Sequence, residues 1–167
     1  MSGEVAFGAA ISEDRQHSSV VAAGRGASGL VVVDLVWYAH PAGVVKRLGE
    51  LYMEHGPVAV VVNAKSQSAT LVKPLAEAGI VVTEMSVEDV VVAHAEFLDL
   101  VNDGGLEHLD QPPLTAAVRA GQQRSLAGAK AWEPRVEVDQ SPLVAATGGV
   151  WGFVRWEEMS TPGVYEI

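Results

Sequence analysis

Cysteine is absent from this chain, and lysine and arginine together supply only 11 of its 167 residues. The first absence excludes disulfide frameworks, thiolate zinc sites and cysteine nucleophiles. Against those 11 cations stand 21 aspartates and glutamates, for a formal charge of −10. That balance argues against a free-standing, charge-driven binder of nucleic acid, because such binding rests on Lys and Arg neutralising phosphates. Long apolar runs are missing too: "VAVVV", Val58 to Val62, falls far short of the ~20 residues a membrane-spanning helix requires. The opening "MSGEVAFGAAISED" has no basic segment followed by an apolar core, so it does not read as a signal peptide. A soluble protein without membrane contact is expected. No linker, repeat or low-complexity tract divides the chain, which reads as one domain over residues 1–158 with a loosely ordered tail, 159–167. With 49% hydrophobic and 19% charged residues, it can bury a sizeable core.

Residues 4–11, 17–24 and 30–38 carry the β-branched and apolar residues of three successive strands. Between the last two, "GRGASG" (Gly24 to Gly29) matches G-x-G-x-x-G. A dinucleotide fingerprint needs a helix immediately afterwards; a strand follows here, so a hairpin turn is expected. The character then alternates. A helix over 42–56 places Val44, Val45, Leu48, Leu51 and Tyr52 on one face and stops at Gly56. A doubly covered strand follows at 57–63, then a helix at 68–79 interrupted or restarted at Pro74, and a short strand at 80–86. Ser86 and Asp89 form a capping box opening a helix with Val90, His94, Phe97, Leu98 and Val101 along one side. A helix is expected from Pro112-Pro113 towards Arg124, an extended segment over 129–139, and a closing helix from Pro142 to about Arg155. Three strands leading into alternating helix and strand give a mixed sheet with helices on its faces.

One junction stands out. In "RVEVDQSPLV", Val136 and Val138 alternate with Glu137 and Asp139, and Ser141-Pro142 reads as an N-cap followed by a first-turn proline. Asp139 therefore sits where a strand hands over to a helix, either as a solvated carboxylate near a helix N-terminus or as part of a site. The five histidines show no metal-ligand spacing. His94 reads as a hydrogen-bonded core residue and Trp151 as core. Gly148-Gly149 either permits close packing of the last helix or ends it early.

Four segments carry a family resemblance: "VAFGAAISEDRQHSSVVAAG", "HGPVAVVVNAKSQSATLVKPLAEAGI", "LEHLDQPPLTAAVRAGQQRSLAGAKAWEPR" and "VDQSPLVAATGGVWGF". Together, over residues 4 to about 155, the chain resembles the ribonuclease H-like nuclease domain of tailed-phage terminase large subunits. The resemblance implies an α/β, ribonuclease H-like mixed β-sheet flanked by helices. It also implies two Mg or Mn ions held by three carboxylates, because hard cations prefer several converging carboxylate oxygens. Asp139 matches the third carboxylate. The first falls at Ala10 (or Ala9 if the register slips by one) and the second at Asn63. The glycine-proline turn expected after the second acid is replaced by Ala64-Lys65-Ser66-Gln67, which points to natural divergence rather than engineered point substitutions.

Asp14 and Glu84 are further metal-ligand candidates, with Glu13 and His17 beside the first strand. Lys65 is either an exposed loop lysine or a point charge that replaces a metal's positive charge towards phosphate. The resemblance implies double-stranded DNA as partner, weakly held or lost, and contacts with a terminase ATPase domain, small terminase or portal. The setting would be the cytoplasm of a bacterial host, with the gene of phage or prophage origin. No G-x-x-x-x-G-K-[ST] loop occurs, so the resemblance stops short of the ATP-driven motor. The expected role is a nuclease-type packaging domain with cleavage impaired or lost. Two alternatives are a non-enzymatic interaction or assembly protein that kept the fold, and an active Mg- or Mn-dependent endonuclease with rearranged ligands.

Overall fold

A computed structural model describes residues 3–161. Three antiparallel strands, β1 (Val5–Ile11), β2 (Ser18–Arg25) and β3 (Val31–Ala39), form a meander. The chain then alternates through α1 (Val44–His55), β4 (Ala59–Asn63), α2 (Val72–Glu77), β5 (Thr83–Met85), α3 (Val87–Asn102) and β6 (Leu106–His108). It continues with α4 (Pro112–Ala120), β7 (Gln123–Leu126), β8 (Ala129–Trp132) and α5 (Ser141–Ser160). Six strands make one mixed sheet in the order β5-β4-β1-β2-β3-β6, with β4, β5 and β6 each joined in parallel; β7 and β8 form a separate hairpin.

β1 sits near the middle of the sheet and is buried on both faces. Phe7, Ala9 and Ile11 meet Leu48 and Leu51 of α1 and Leu75 of α2, while Ala6 and Ala10 meet Leu143, Ala146 and Phe153 of α5. This two-sided burial is why its sequence reads as a continuous apolar run. Helix α5 lies directly on the strand. A Cβ added to Gly8 would fall 1.9 Å from the Ala145 carbonyl oxygen, and one on Gly152 would fall 2.6 Å from Val61 Cγ2. Gly149, whose added Cβ would meet Gly8 N at 3.1 Å, serves close packing, whereas one on Gly148 would make only ordinary contact; the helix continues unbroken to Ser160, past the expected end near Arg155.

The hairpin at Gly24–Gly29, the left-handed stop at Gly56 (φ 53°) and the Ser86/Asp89 capping box form as expected. The segment 129–139 does not: only Ala129–Trp132 is strand, paired with the unanticipated β7, and residues 133–139 have no regular structure. The helix from Pro112 ends at Ala120, because Gly121 adopts extended backbone (φ −57°, ψ 129°). Pro74 falls in the first turn of α2, after a 3-10 turn over Gln67–Leu71, where its missing N–H has no intrahelical partner to lose. Of the tail read over 159–167, Ser160 closes α5, and 162–167 lie outside the described residues.

Candidate functional site

The C-terminal ends of β1 and β4 run side by side and meet the start of α5. The parallel register Ala9↔Val62 sets Ala10 beside Asn63, and the antiparallel register sets Ala10 opposite Ser19. Ser19 Oγ lies 2.8 Å from Ser141 Oγ, and Ser141 Oγ donates to Asp139 Oδ2 at 3.0 Å. The three positions matched to family carboxylates thus share one end of the sheet. Ala10 and Asn63 both face α5: Ala10 packs in the α5 cluster, and Asn63 follows Val61 by two residues, one strand period.

What occupies these positions differs in kind. Ala10 is 1% exposed and carries no ligand atom. Asn63 Oδ1 accepts from the Lys65 backbone N–H at 2.9 Å, folding its own loop back on itself. Asp139 caps α5: its Oδ1 accepts from Ser141 N (2.8 Å), while Oδ2 accepts from Ser141 Oγ and from the Tyr38 hydroxyl (3.0 Å each). The expected N-cap role of Ser141 is therefore corrected. Ser141 is the first helical residue, and the carboxylate two residues earlier satisfies its N–H. Burial, then the neighbouring negative charge of Asp139, pushes the Tyr38 phenol up to about 12. Tyr38 also stacks on His17 with ring centroids 5.0 Å apart.

The remaining acidic candidates fall outside this junction or are engaged elsewhere. Asp14 shares an open cleft of 520 Å³ with Asp139 and Tyr38, but its Oδ1 accepts from Ser12 Oγ (2.6 Å) and Gln16 N (3.0 Å). The Ser12 hydroxyl, then the Gln16 amide, hold its carboxyl below the usual range. Glu84 registers against Val62, whose side chain packs on the opposite face beneath α1 and α2, so Glu84 does not turn towards Asn63. Among the described residues no group of three or more His, Asp or Glu side chains is placed to hold a metal ion. A two-metal centre needs several free carboxylates; an alanine, an engaged amide and one capping carboxylate do not fit it.

Sequence reasoning passed over two arginines beside the junction. Arg124, from β7, lines both a cleft of 250 Å³ shared with Lys65 and Ser141 and a smaller cavity of 50 Å³ that reaches Asn63 and His94. Arg135 also borders the larger cleft and sits 3.8 Å from Glu13. His94 is 2% exposed and packs edge-on against Trp132 at 4.4 Å, yet neither ring nitrogen finds a hydrogen-bond partner. The expected core position holds; the expected hydrogen bond does not. Burial pushes its pKa down.

No family model and no curated protein matches the chain. Solved structures do. The HK97 bacteriophage large terminase superposes with a TM-score of 0.68 at 14% identity, over 90% of this chain and 40% of that one. The large terminase nuclease from thermophilic phage G20c gives 0.69 at 12% identity, over 90% of this chain and 82% of that one. Its magnesium-bound form gives 0.67 at 12% identity, over 88% and 80%. The six-stranded mixed sheet with flanking helices is thus the ribonuclease H-like fold of phage large terminase nucleases. The chain spans less than half the length of the HK97 protein and most of the length of the isolated nuclease.

Proposed function

We propose that this chain is a nuclease-type domain of a terminase large subunit that takes part in phage DNA packaging without cutting DNA itself. Its partners in this reading are double-stranded DNA and the rest of the packaging machine (an ATPase domain, small terminase or portal) in the cytoplasm of an infected host. One observation supports the reading above others. At the three positions where the resemblance calls for carboxylates, Ala10 is buried, Asn63 is turned to its own loop, and both oxygens of Asp139 are committed. No Mg or Mn pair is held, no water is activated, and the domain contributes shape and contacts.

Incubating the protein with supercoiled plasmid and Mg²⁺ or Mn²⁺ tests this. The expected result is no nicking above that of Asp139→Ala. Robust cleavage that disappears in Asp139→Ala would overturn the proposal in favour of a working endonuclease.

A further inference from the structure

Beside the junction of Ala10, Asn63 and Asp139, the cleft that reaches Ser141 is basic. Lys65, Arg124 and Arg135 border it against the single carboxylate of Glu13. Arg135 is partly neutralised by Glu13 at 3.8 Å. Lys65 and Arg124 enter no ion pair among the described residues. Lys65 is exposed, at the mouth; Arg124 is half-buried, and its Nε–H is sealed from solvent without an acceptor. A buried donor left unmade is costly; an acceptor reaches this one only if the side chain shifts, and Arg124 also borders the open cleft. Hydroxyls complete the lining. Ser68 Oγ, buried in the wall, accepts from Ile11 N and leaves its own proton to donate. The loop that carries Lys65 and Ser68 is fixed to the β1–β2 turn by Arg15. Its guanidinium, presented from left-handed backbone (φ 60°), donates to Gln67 O at 3.1 Å and Thr70 Oγ1 at 3.0 Å.

We propose that Lys65 and Arg124 form a metal-independent phosphate site that takes a phosphodiester of the DNA backbone; this deepens the reading of a non-cutting packaging domain and rests on it. A guanidinium presents several donors in a plane, an ammonium adds a point charge, and a phosphate offers oxygens to both while accepting from the serine. A carboxylate, with two oxygens in one plane, satisfies fewer of these converging donors. The net charge of −10, with Glu13, Asp14, Glu137 and Asp139 lining the adjoining cleft, weakens long-range attraction, so the contacts to Lys65 and Arg124 must hold the phosphate at short range. Fixed side-chain cations beside the junction thus supply positive charge without a metal, which allows grip without hydrolysis.

Fluorescence anisotropy with a labelled ~20-base-pair duplex at low salt, in EDTA and again in Mg²⁺, reads the site directly. Binding should be the same in both buffers. Lys65→Glu and Arg124→Gln should each weaken it about tenfold, as loss of a phosphate contact does at low salt. Lys46→Glu, an equal charge change on the exposed side of α1, should leave it unchanged. Titration with inorganic phosphate, followed by the amide resonances of Lys65 and Ser68, should show shifts that vanish in Lys65→Glu, a surface variant that keeps the fold. Binding that requires Mg²⁺, variants that bind like the parent, or failure to bind both duplex and phosphate would overturn the site. So would capture of a poly-glutamate peptide in place of phosphate, which would assign the cleft to an acidic protein segment. Plasmid cleavage would sink the non-cutting reading alone, whereas loss of phosphate binding sinks this one alone.

Discussion

Asp139 serves as a structural cap at the position where the family resemblance implies a metal ligand. Its two oxygens tie the start of α5 to Tyr38 on β3. Removing such a cap costs about 1 kcal/mol, so Asp139→Ala should unfold at lower urea while its activity on DNA stays as it was. The same pair governs an alkaline transition. The Tyr38 phenol ionises at about 12 instead of 10 because burial and Asp139 disfavour its anion. The raised folded pKa means that its contribution to stability is present below pH 10 and is lost as pH climbs through 12. Ultraviolet titration should show one late-ionising tyrosine that moves to lower pH in Asp139→Asn. His94 works in the opposite sense: burial depresses its folded pKa below the ordinary 6.5, so its contribution is present above pH 6.5 and falls away in acid. Its burial was legible from its place on an apolar helical face. Its lack of a partner was not, because that depends on Trp132 arriving from a distant hairpin.

At the level of elements, the long periodic segments declared themselves, as did short β5 and α2 within their expected spans, while β6 and the β7–β8 hairpin did not. The face of α1, the stop at Gly56 and the capping box of α3 follow from local rules. The β7–β8 hairpin escaped because its turn, Ala127-Gly128, has two successive positive φ values (49° and 78°) but carries alanine where asparagine or aspartate would give the signal. Val136 and Val138 showed the alternation of a strand, but no sheet edge receives them, and 133–139 crosses to α5 as irregular chain. Helix α5 makes the sharpest mutational claim. Gly8→Ala drives a Cβ into the backbone at Ala145, where no side chain can swing aside. The expected loss is on the order of 3 kcal/mol, the upper range for overpacking, measurable as a lower thermal midpoint. A loss within experimental error would show that α5 can lift away from the sheet.

For the whole molecule, the order of elements was enough to anticipate a mixed sheet, since a meander followed by βαβ units has few ways to close. The edge strand β6 was hidden by its length of three residues. Convergence of two strand ends with the irregular crossing before α5 could be inferred only by resemblance, because no local pattern links residues 10, 63 and 139. That convergence has a testable consequence. Ala10→Asp with Asn63→Asp places two carboxylates side by side on the face towards α5. The double variant should be less stable than the parent without metal, because Ala10 is buried. It should also gain a Mn²⁺-dependent rise in thermal midpoint, worth about 2.7 kcal/mol at a hundredfold excess over Kd. The parent should show no such rise, and equal behaviour of the two proteins would mean that the ends do not meet.

The near contact between α5 and β1 also sets where this molecule can yield. With glycine on both sides of the seam, backbone rests on backbone, and no side chain there is available to change rotamer. Accommodation of a bulky or bent ligand then has to come from the rim: the loop around Lys65 and the irregular crossing at 133–139. Amide exchange should divide accordingly, slow along the seam and fast at the rim, so that a guest is gripped from above while the base stays unchanged.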